Sequence, residues 1–147
     1  MPPTLPPRFV DALVVGGGPA GLAAALAFAR TRTTAILFDS QSYRNEGIPH
    51  MHTVPSRDHV DPYEFRRIAR EQISSRYDTV WIKNVEIKSV VQKEIHGQET
   101  NGKSYVGFEV GDASGEIWRG RKVVMATGSR DVFPKIPGYK DNWPVNM

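Results

Sequence analysis

The sequence predicts an α/β domain built around a parallel sheet, and three observations predict it. An apolar strand, Ala12 to Val15, runs straight into Gly16-Gly17-Gly18-Pro19-Ala20-Gly21, a G-x-G-x-x-G turn. A helix of small residues, Ala20 to Arg30, follows at once. A second apolar strand, Ala35 to Phe38, then ends in Asp39. Strand, glycine turn, helix, strand and acid, in that order and within about 30 residues, make a Rossmann-like dinucleotide-binding unit. A glycine motif alone is weak evidence; here the flanking elements that give it meaning are present.

Each residue of the turn has a physical task. Gly16 lets the chain turn sharply off the strand, Gly18 lets a pyrophosphate approach the backbone, and Gly21 lets the helix pack close to the sheet. Pro19 sits at the helix start, where its missing N–H costs nothing. The free N–H groups of the first turn and the positive end of the helix dipole then face a diphosphate. Asp39 stands where the acid that bonds a ribose hydroxyl belongs; its bland alternative is a strand-end or capping residue. A glycine-rich turn without a ligand is the corresponding alternative for the motif.

The first helix carries Leu22, Leu26 and Ala29 on one stripe, with Ala23, Ala24 and Ala27 around it. Ser40 to Asp58 lacks periodicity and is expected to be a long irregular segment, either a solvated loop or part of the site at which it begins. Asp61-Pro62-Tyr63-Glu64 is a helix start with a cap, a first-turn proline and a glutamate three residues after the cap. That helix should run to about Tyr77, with Phe65, Ile68, Ala69, Gln72 and Ile73 inward and Arg66, Arg67, Arg70 and Glu71 on a solvated face.

Beyond it the pattern turns to strands: Val80 to Ile82, then Val85 to Ile95, a turn around Asn101-Gly102, Ser104 to Val110, and a turn over Gly111 to Gly115. Glu116 to Trp118 continues the meander, and Lys122 to Ala126 is a buried-type strand ending in Thr127-Gly128. The meander is expected to form a small antiparallel layer over the parallel sheet. The expected organisation is a disordered proline-rich tail over 1–8, one domain over 9–131, and an extended tail over 132–147.

Composition narrows the function. The chain has 147 residues, a formal charge of +3 and a sequence pI near 9.3. The excess charge is spread out, so no nucleic-acid partner is expected. No stretch reaches the roughly 18 apolar residues of a membrane span, and the N-terminus is too rich in proline for a signal core. A cytoplasmic location is the expectation. There is no cysteine, which removes disulfides, thiolate metal sites and cysteine nucleophiles. The four histidines, His50, His52, His59 and His96, show no recognisable metal-ligand spacing, and no metal site is expected.

Taken together, Gly16 to Gly21, Phe38-Asp39-Ser40, Arg44-Asn45 and Ala126-Thr127-Gly128-Ser129-Arg130-Asp131 resemble the low-molecular-weight thioredoxin-reductase-like flavoproteins. The run from His50 to His59 resembles more narrowly the fungal branch that oxidises dithiols in secondary-metabolite (mycotoxin) pathways, the gliotoxin-type oxidoreductases. The resemblance covers about residues 9 to 147. It implies FAD as cofactor, with Gly16, Gly17, Gly18, Pro19, Ala20 and Gly21 forming the turn against its diphosphate and Asp39 on the adenosine ribose. It further implies that Ser40, Gln41, Arg44 and Asn45 wrap the adenosine side, with Arg44 the charged partner. His52 would lie near the flavin half, Val85 would flank the adenine through its backbone, and Ala126, Thr127 and Gly128 would run beside the dinucleotide. Gln41 stands where many members of that family have glycine.

The family continues past the Asn142-Trp143-Pro144 region into a C-x-x-C pair and an NADPH-binding domain, then returns to complete the FAD domain. This chain stops at Met147 and so carries only the first, C-terminally truncated part of that plan, the FAD-binding portion of an oxidoreductase. No catalytic residue is assigned. Two alternatives stay open. A non-redox enzyme on the same fold would use His50, His52 and His59 as acids or bases. A binding module would pair, as a homodimer or with a completing chain, through Phe133, Ile136, Tyr139, Trp143 and Val145. A small-molecule substrate is compatible with either enzyme reading.

Overall fold

The computed structural model describes residues 6–96 and 101–142. The five N-terminal residues of the proline tail, and Trp143 and Val145 of the apolar C-terminal set, lie outside the described residues.

The chain runs β1 (Phe9–Val15), α1 (Pro19–Arg30), β2 (Ala35–Phe38), α2 (Pro62–Arg76), β3 (Val80–Lys83), β4 (Ile87–Ile95), β5 (Tyr105–Asp112), β6 (Ile117–Met125) and α3 (Tyr139–Asn142). The strands form a six-stranded sheet in the order β3-β2-β1-β6-β5-β4. β3, β2, β1 and β6 pair in parallel, and β6, β5 and β4 pair antiparallel.

β2 shows how the core is divided. Its four residues are all buried, and alternation sends them to opposite faces. Ala35 and Leu37 join Ala12, Val14, Leu22, Ala25, Ala29, Ile73 and Val80 beneath the two helices. Ile36 and Phe38 join Val10, Leu13, Val110 and Trp118 on the other face. A parallel sheet must be covered on both faces, and the meander supplies the second cover. β3 and β6 lie three strand spacings apart, about 14 Å in a flat sheet. Yet the Lys83 ammonium sits 4.7 Å from the centre of the Trp118 ring, and Phe38 and Trp118 are 5.8 Å apart. The sheet therefore folds over itself, and the antiparallel layer stays hydrogen-bonded to the parallel one through β6.

β6 also corrects a reading of the sequence. Glu116–Trp118 and Lys122–Ala126 are not separate strands. Ile117 to Gly120 pairs with β5 while Arg119 to Met125 pairs with β1. The polar run Arg119-Gly120-Arg121 reads as a break, but each residue is placed. Arg119 bonds Glu109 at 3.1 Å, Arg121 lies over the Tyr105 ring, and Gly120 faces Leu13 too closely for a side chain. β1 likewise begins at Phe9 rather than Ala12, because Asp11 is held by the Thr34 hydroxyl at 2.6 Å instead of ending the strand.

Other differences are local. The buried stripe of α1 is Gly21, Leu22, Ala25 and Ala29; Leu26 is only half-buried. β4 starts at Ile87, with an irregularity between Ile87 and Ser89, and β5 runs to Asp112. The expected extended tail contains the single helical turn α3. Asp61 caps α2 through the Tyr63 amide at 2.7 Å, but the Glu64 carboxylate turns to Arg67 rather than back to the cap.

The β5–β6 turn is tied by Asp112, which is buried. One oxygen accepts from the Ser114 hydroxyl and amide and the Glu116 amide, the other from the Trp118 indole at 2.9 Å. Burial pushes its pKa up, but these donors together outweigh burial and hold it below the usual 3.8. Asp112→Ala is expected to cost about 1–3 kcal/mol, because the indole and turn amides lose their acceptor. A carboxyl whose pKa is depressed on folding stabilises above its unfolded value and loses that contribution as pH falls through its folded value. The gap between wild type and Asp112→Ala in urea unfolding should thus be full at pH 6 and shrink below about pH 4.

Candidate dinucleotide site

The C-terminal ends of β1, β2 and β6 converge on one edge of the sheet. β1 is flanked by β2 on one side and β6 on the other, so the chain reverses direction across the sheet there. Ligands of open α/β sheets bind in the crevice at such a switch point. The glycine turn leaves β1, Asp39 ends β2, and Ala126-Thr127-Gly128 leaves β6. The Ala126 amide donates to the Val15 carbonyl at 2.8 Å, which fixes that last segment beside the turn.

The three motif glycines meet different surroundings. Gly16 has φ +118°, and a Cβ on it would overlap the Ala126 carbonyl. A Cβ on Gly21 would overlap the Gly16 carbonyl. Both are closed by protein. Gly18 is different: a Cβ there would meet nothing within 4 Å. It has ordinary extended backbone, φ −76°, and caps α1 without a side chain. The turn Pro19-Ala20-Gly21-Leu22 contains no acid, so the positive end of α1 opens onto this space. A glycine at Gly18 leaves the backbone open to close approach by a phosphate, and the site fits a diphosphate.

Gly17 faces the acid; a Cβ on it would overlap the Asp39 carboxylate. Asp39 is fully buried. One oxygen accepts the Gln41 amide at 2.8 Å. The other accepts the Tyr43 hydroxyl and an Arg70 guanidinium nitrogen, both at 2.6 Å. Burial first, and then Asp39, push the Tyr43 phenol up to about 12, so it is a firm donor at neutral pH. Arg70 also donates to Asn84. Arg66 lies 3.7 Å over the Tyr43 ring and donates to Asn45 at 3.1 Å. The assignment of Arg66 and Arg70 to a solvated face is therefore wrong. Their spacing of one helical turn puts both toward the loop after β2, while Arg67 takes the solvent side with Glu64 and Glu71.

The remaining expected residues distribute as follows. Ser40 is exposed at the start of the loop. Gln41 has φ +60°, a left-handed conformation that favours glycine. Arg44 forms a two-pronged pair with Asp131 at 2.8–3.1 Å, which straps the loop after β2 to the segment after β6 and raises the Arg44 pKa. Val85 is half-buried against the second core cluster, and Thr127 and Gly128 are exposed beside the turn. His52 packs against His59, 4.5 Å between rings, and pairs with Asp58 at 3.4 Å. A cavity of about 490 Å³ lies between the loop and α2, lined by Gln41, Tyr43, Asn45, Arg66 and Arg70 among others.

The model of the pyridine nucleotide-disulphide oxidoreductase family matches residues 10–146. The chain belongs to that family. The pyridine nucleotide-disulphide oxidoreductases and their thioredoxin reductase members are FAD-dependent flavoproteins. Within the family the chain is 48% identical to thioredoxin reductase tcpT of Claviceps purpurea, covering 92% of this chain and 40% of that one. It is 44% identical to thioredoxin reductase aclD of Aspergillus oryzae, covering 93% and 40%. Among solved structures it is similar to HlmI, at 32% identity and TM-score 0.76, covering 91% of this chain and 39% of that one. It is also similar to a thioredoxin reductase of Bacillus anthracis, at 29% and 0.75, covering 87% and 39%. The chain thus spans about 40% of the curated relatives it matches and corresponds to their N-terminal, FAD-binding portion. Among the described residues no helix is long and apolar enough to cross a membrane.

Proposed function

We propose that this chain binds the adenosine diphosphate half of FAD at the N-terminus of α1, as part of a dithiol- or disulfide-directed oxidoreductase of a fungal secondary-metabolite pathway. The observation that carries the reading is the contrast within the turn: Gly16 and Gly21 are closed by protein, and Gly18 opens onto empty space. Pro19 and Ala20 border the same opening and Ala126 to Gly128 form its flank; Asp39, buried with both oxygens bonded by Gln41, Tyr43 and Arg70, would take a ribose hydroxyl only after Tyr43 or Arg70 turns away. Bound FAD would supply the redox chemistry; these residues hold and orient it. A cytoplasmic location, and pairing with a second copy or with a chain that completes the flavin site, belong to the same proposal. The exposure of Val132 and Ile136 beyond β6 supports the pairing.

Gly18→Ala tests the reading. Its Cβ enters open space on ordinary backbone, so the unfolding midpoint should stay within error of wild type. FAD affinity, followed by quenching of flavin fluorescence, should fall at least tenfold. Equal FAD binding by both proteins, or none by either, would overturn it.

A further inference from the structure

Asp39 stands at the ribose end of the site, and its acceptor places are already engaged. Its carboxylate is fully buried. Gly17 brings the glycine turn so close that a Cβ there would overlap the Asp39 carboxylate. The Gln41 amide holds Oδ1 at 2.8 Å, while the Tyr43 hydroxyl and Arg70 Nη1 share Oδ2, both at 2.6 Å. A ribose hydroxyl that reaches this acid therefore has to displace one of the side-chain donors.

The two side-chain donors are not equally free to leave. Arg70 is the charged partner of a buried carboxylate, and it is anchored on α2 with a second bond to Asn84 at 2.5 Å. Its departure would leave Asp39 buried and uncompensated, the costliest way to open the site. Tyr43 is half-buried in the loop after β2, outside any helix or strand. Its phenol is neutral, and a sugar hydroxyl that replaces it restores the same O–H bond to the carboxylate, so charge and hydrogen bonding stay balanced. There is also room for the ring to move, because the cavity of about 490 Å³ borders Tyr43. Arg66, itself buried, lies 3.7 Å over the ring and backs it in its place beside Asp39.

We propose, resting on the dinucleotide reading above, that Tyr43 is a latch that competes with the adenosine ribose for Asp39. With the phenol on Asp39 the ribose end of the site is closed. With the ring swung into the cavity it is open, while Gln41 and Arg70 keep their bonds. Only the open form accepts a ribose hydroxyl, so the apparent affinity is the intrinsic affinity reduced by the open fraction. A latch closed about nine-tenths of the time weakens binding about tenfold. Tyr43 thus acts against the dinucleotide, although it lies among residues that wrap it.

Calorimetric titration of the full chain with ADP tests the proposal through Tyr43→Phe, which keeps the ring under Arg66 and removes only the hydroxyl. The variant should bind ADP at least about threefold more tightly than wild type; a tyrosine that holds the ligand would give the opposite sign. With 2′,3′-dideoxy-ADP, which has no ribose hydroxyl to offer Asp39, the two proteins should bind alike. In wild type labelled with 13C-tyrosine, saturating ADP should shift the Tyr43 ring carbons and leave those of Tyr105, stacked on Phe9 elsewhere in the molecule, in place. ADP binding by Tyr43→Phe no tighter than wild type, an equal gain with the dideoxy ligand, or a Tyr43 signal unmoved at saturation would overturn the latch and leave the dinucleotide reading standing. Failure of wild type to bind either ADP or FAD would overturn that reading, and the latch with it.

Discussion

Arg70→Met should lower the unfolding free energy by about 2–4 kcal/mol, the loss expected when one partner of a buried ion pair is removed. The Asp39 carboxylate lies wholly inside the protein and would keep only the Gln41 amide and the Tyr43 hydroxyl. Arg70 is about a quarter exposed, so water reaching the vacated place tempers the loss. Arg70→Lys should recover only part of it, since one ammonium lacks the planar fork that joins Asp39 to Asn84. Adding Asp39→Asn to Arg70→Met should restore stability relative to Arg70→Met alone, because the uncompensated charge is gone. Urea unfolding of the four proteins checks the set. A loss below 0.5 kcal/mol on Arg70→Met would show that Asp39 does not depend on its arginine.

The second large effect sits in the turn itself. Gly21→Ala is expected to cost about 3 kcal/mol or more, because the new methyl meets the Gly16 carbonyl, which is backbone and cannot rotate away. The cost should appear in thermal unfolding of the free chain, with no ligand present. That separates it from Gly18→Ala, where the change should be felt by the ligand and not by the fold. If Gly21→Ala unfolds like wild type, the close helix–turn contact is not what positions α1.

The parts of this molecule that were legible in its sequence are those written in local pattern. The glycine turn, the two apolar strands, the acid after Phe38 and the Asp61-Pro62 helix start each announce themselves within a few residues, and each is found there, with β1 starting three residues earlier than its apolar run. The site's inner lining was not legible. Arg66 and Arg70 look like ordinary charged helix residues, and only the long-range meeting with Tyr43, Asn45 and Asp39 turns them inward. One cue was available, a pair of arginines one turn apart facing a loop that begins with a buried acid. The continuity of β6 was hidden for a similar reason: its charged middle is satisfied by neighbours on β5, not by its own sequence. The contacts of His52 with Asp58 and His59 were not legible either, because they arise where the loop closes on itself.

The pairing of β1 with β6 also sets the order in which this domain can be built. The first and last strands of the sheet lie side by side at its centre, from Phe9 against Arg119 to Val15 against Met125. Contacts that span so much chain close late and slowly. Until β6 has been synthesised and docked, β1 presents an open, apolar edge, the kind of surface that invites pairing with another chain. A nascent chain ending before β5 lacks Val110 and Trp118, the residues that cover Leu13, Ile36 and Phe38 on the second face. Cooperative folding is therefore expected only once β6 has docked on β1.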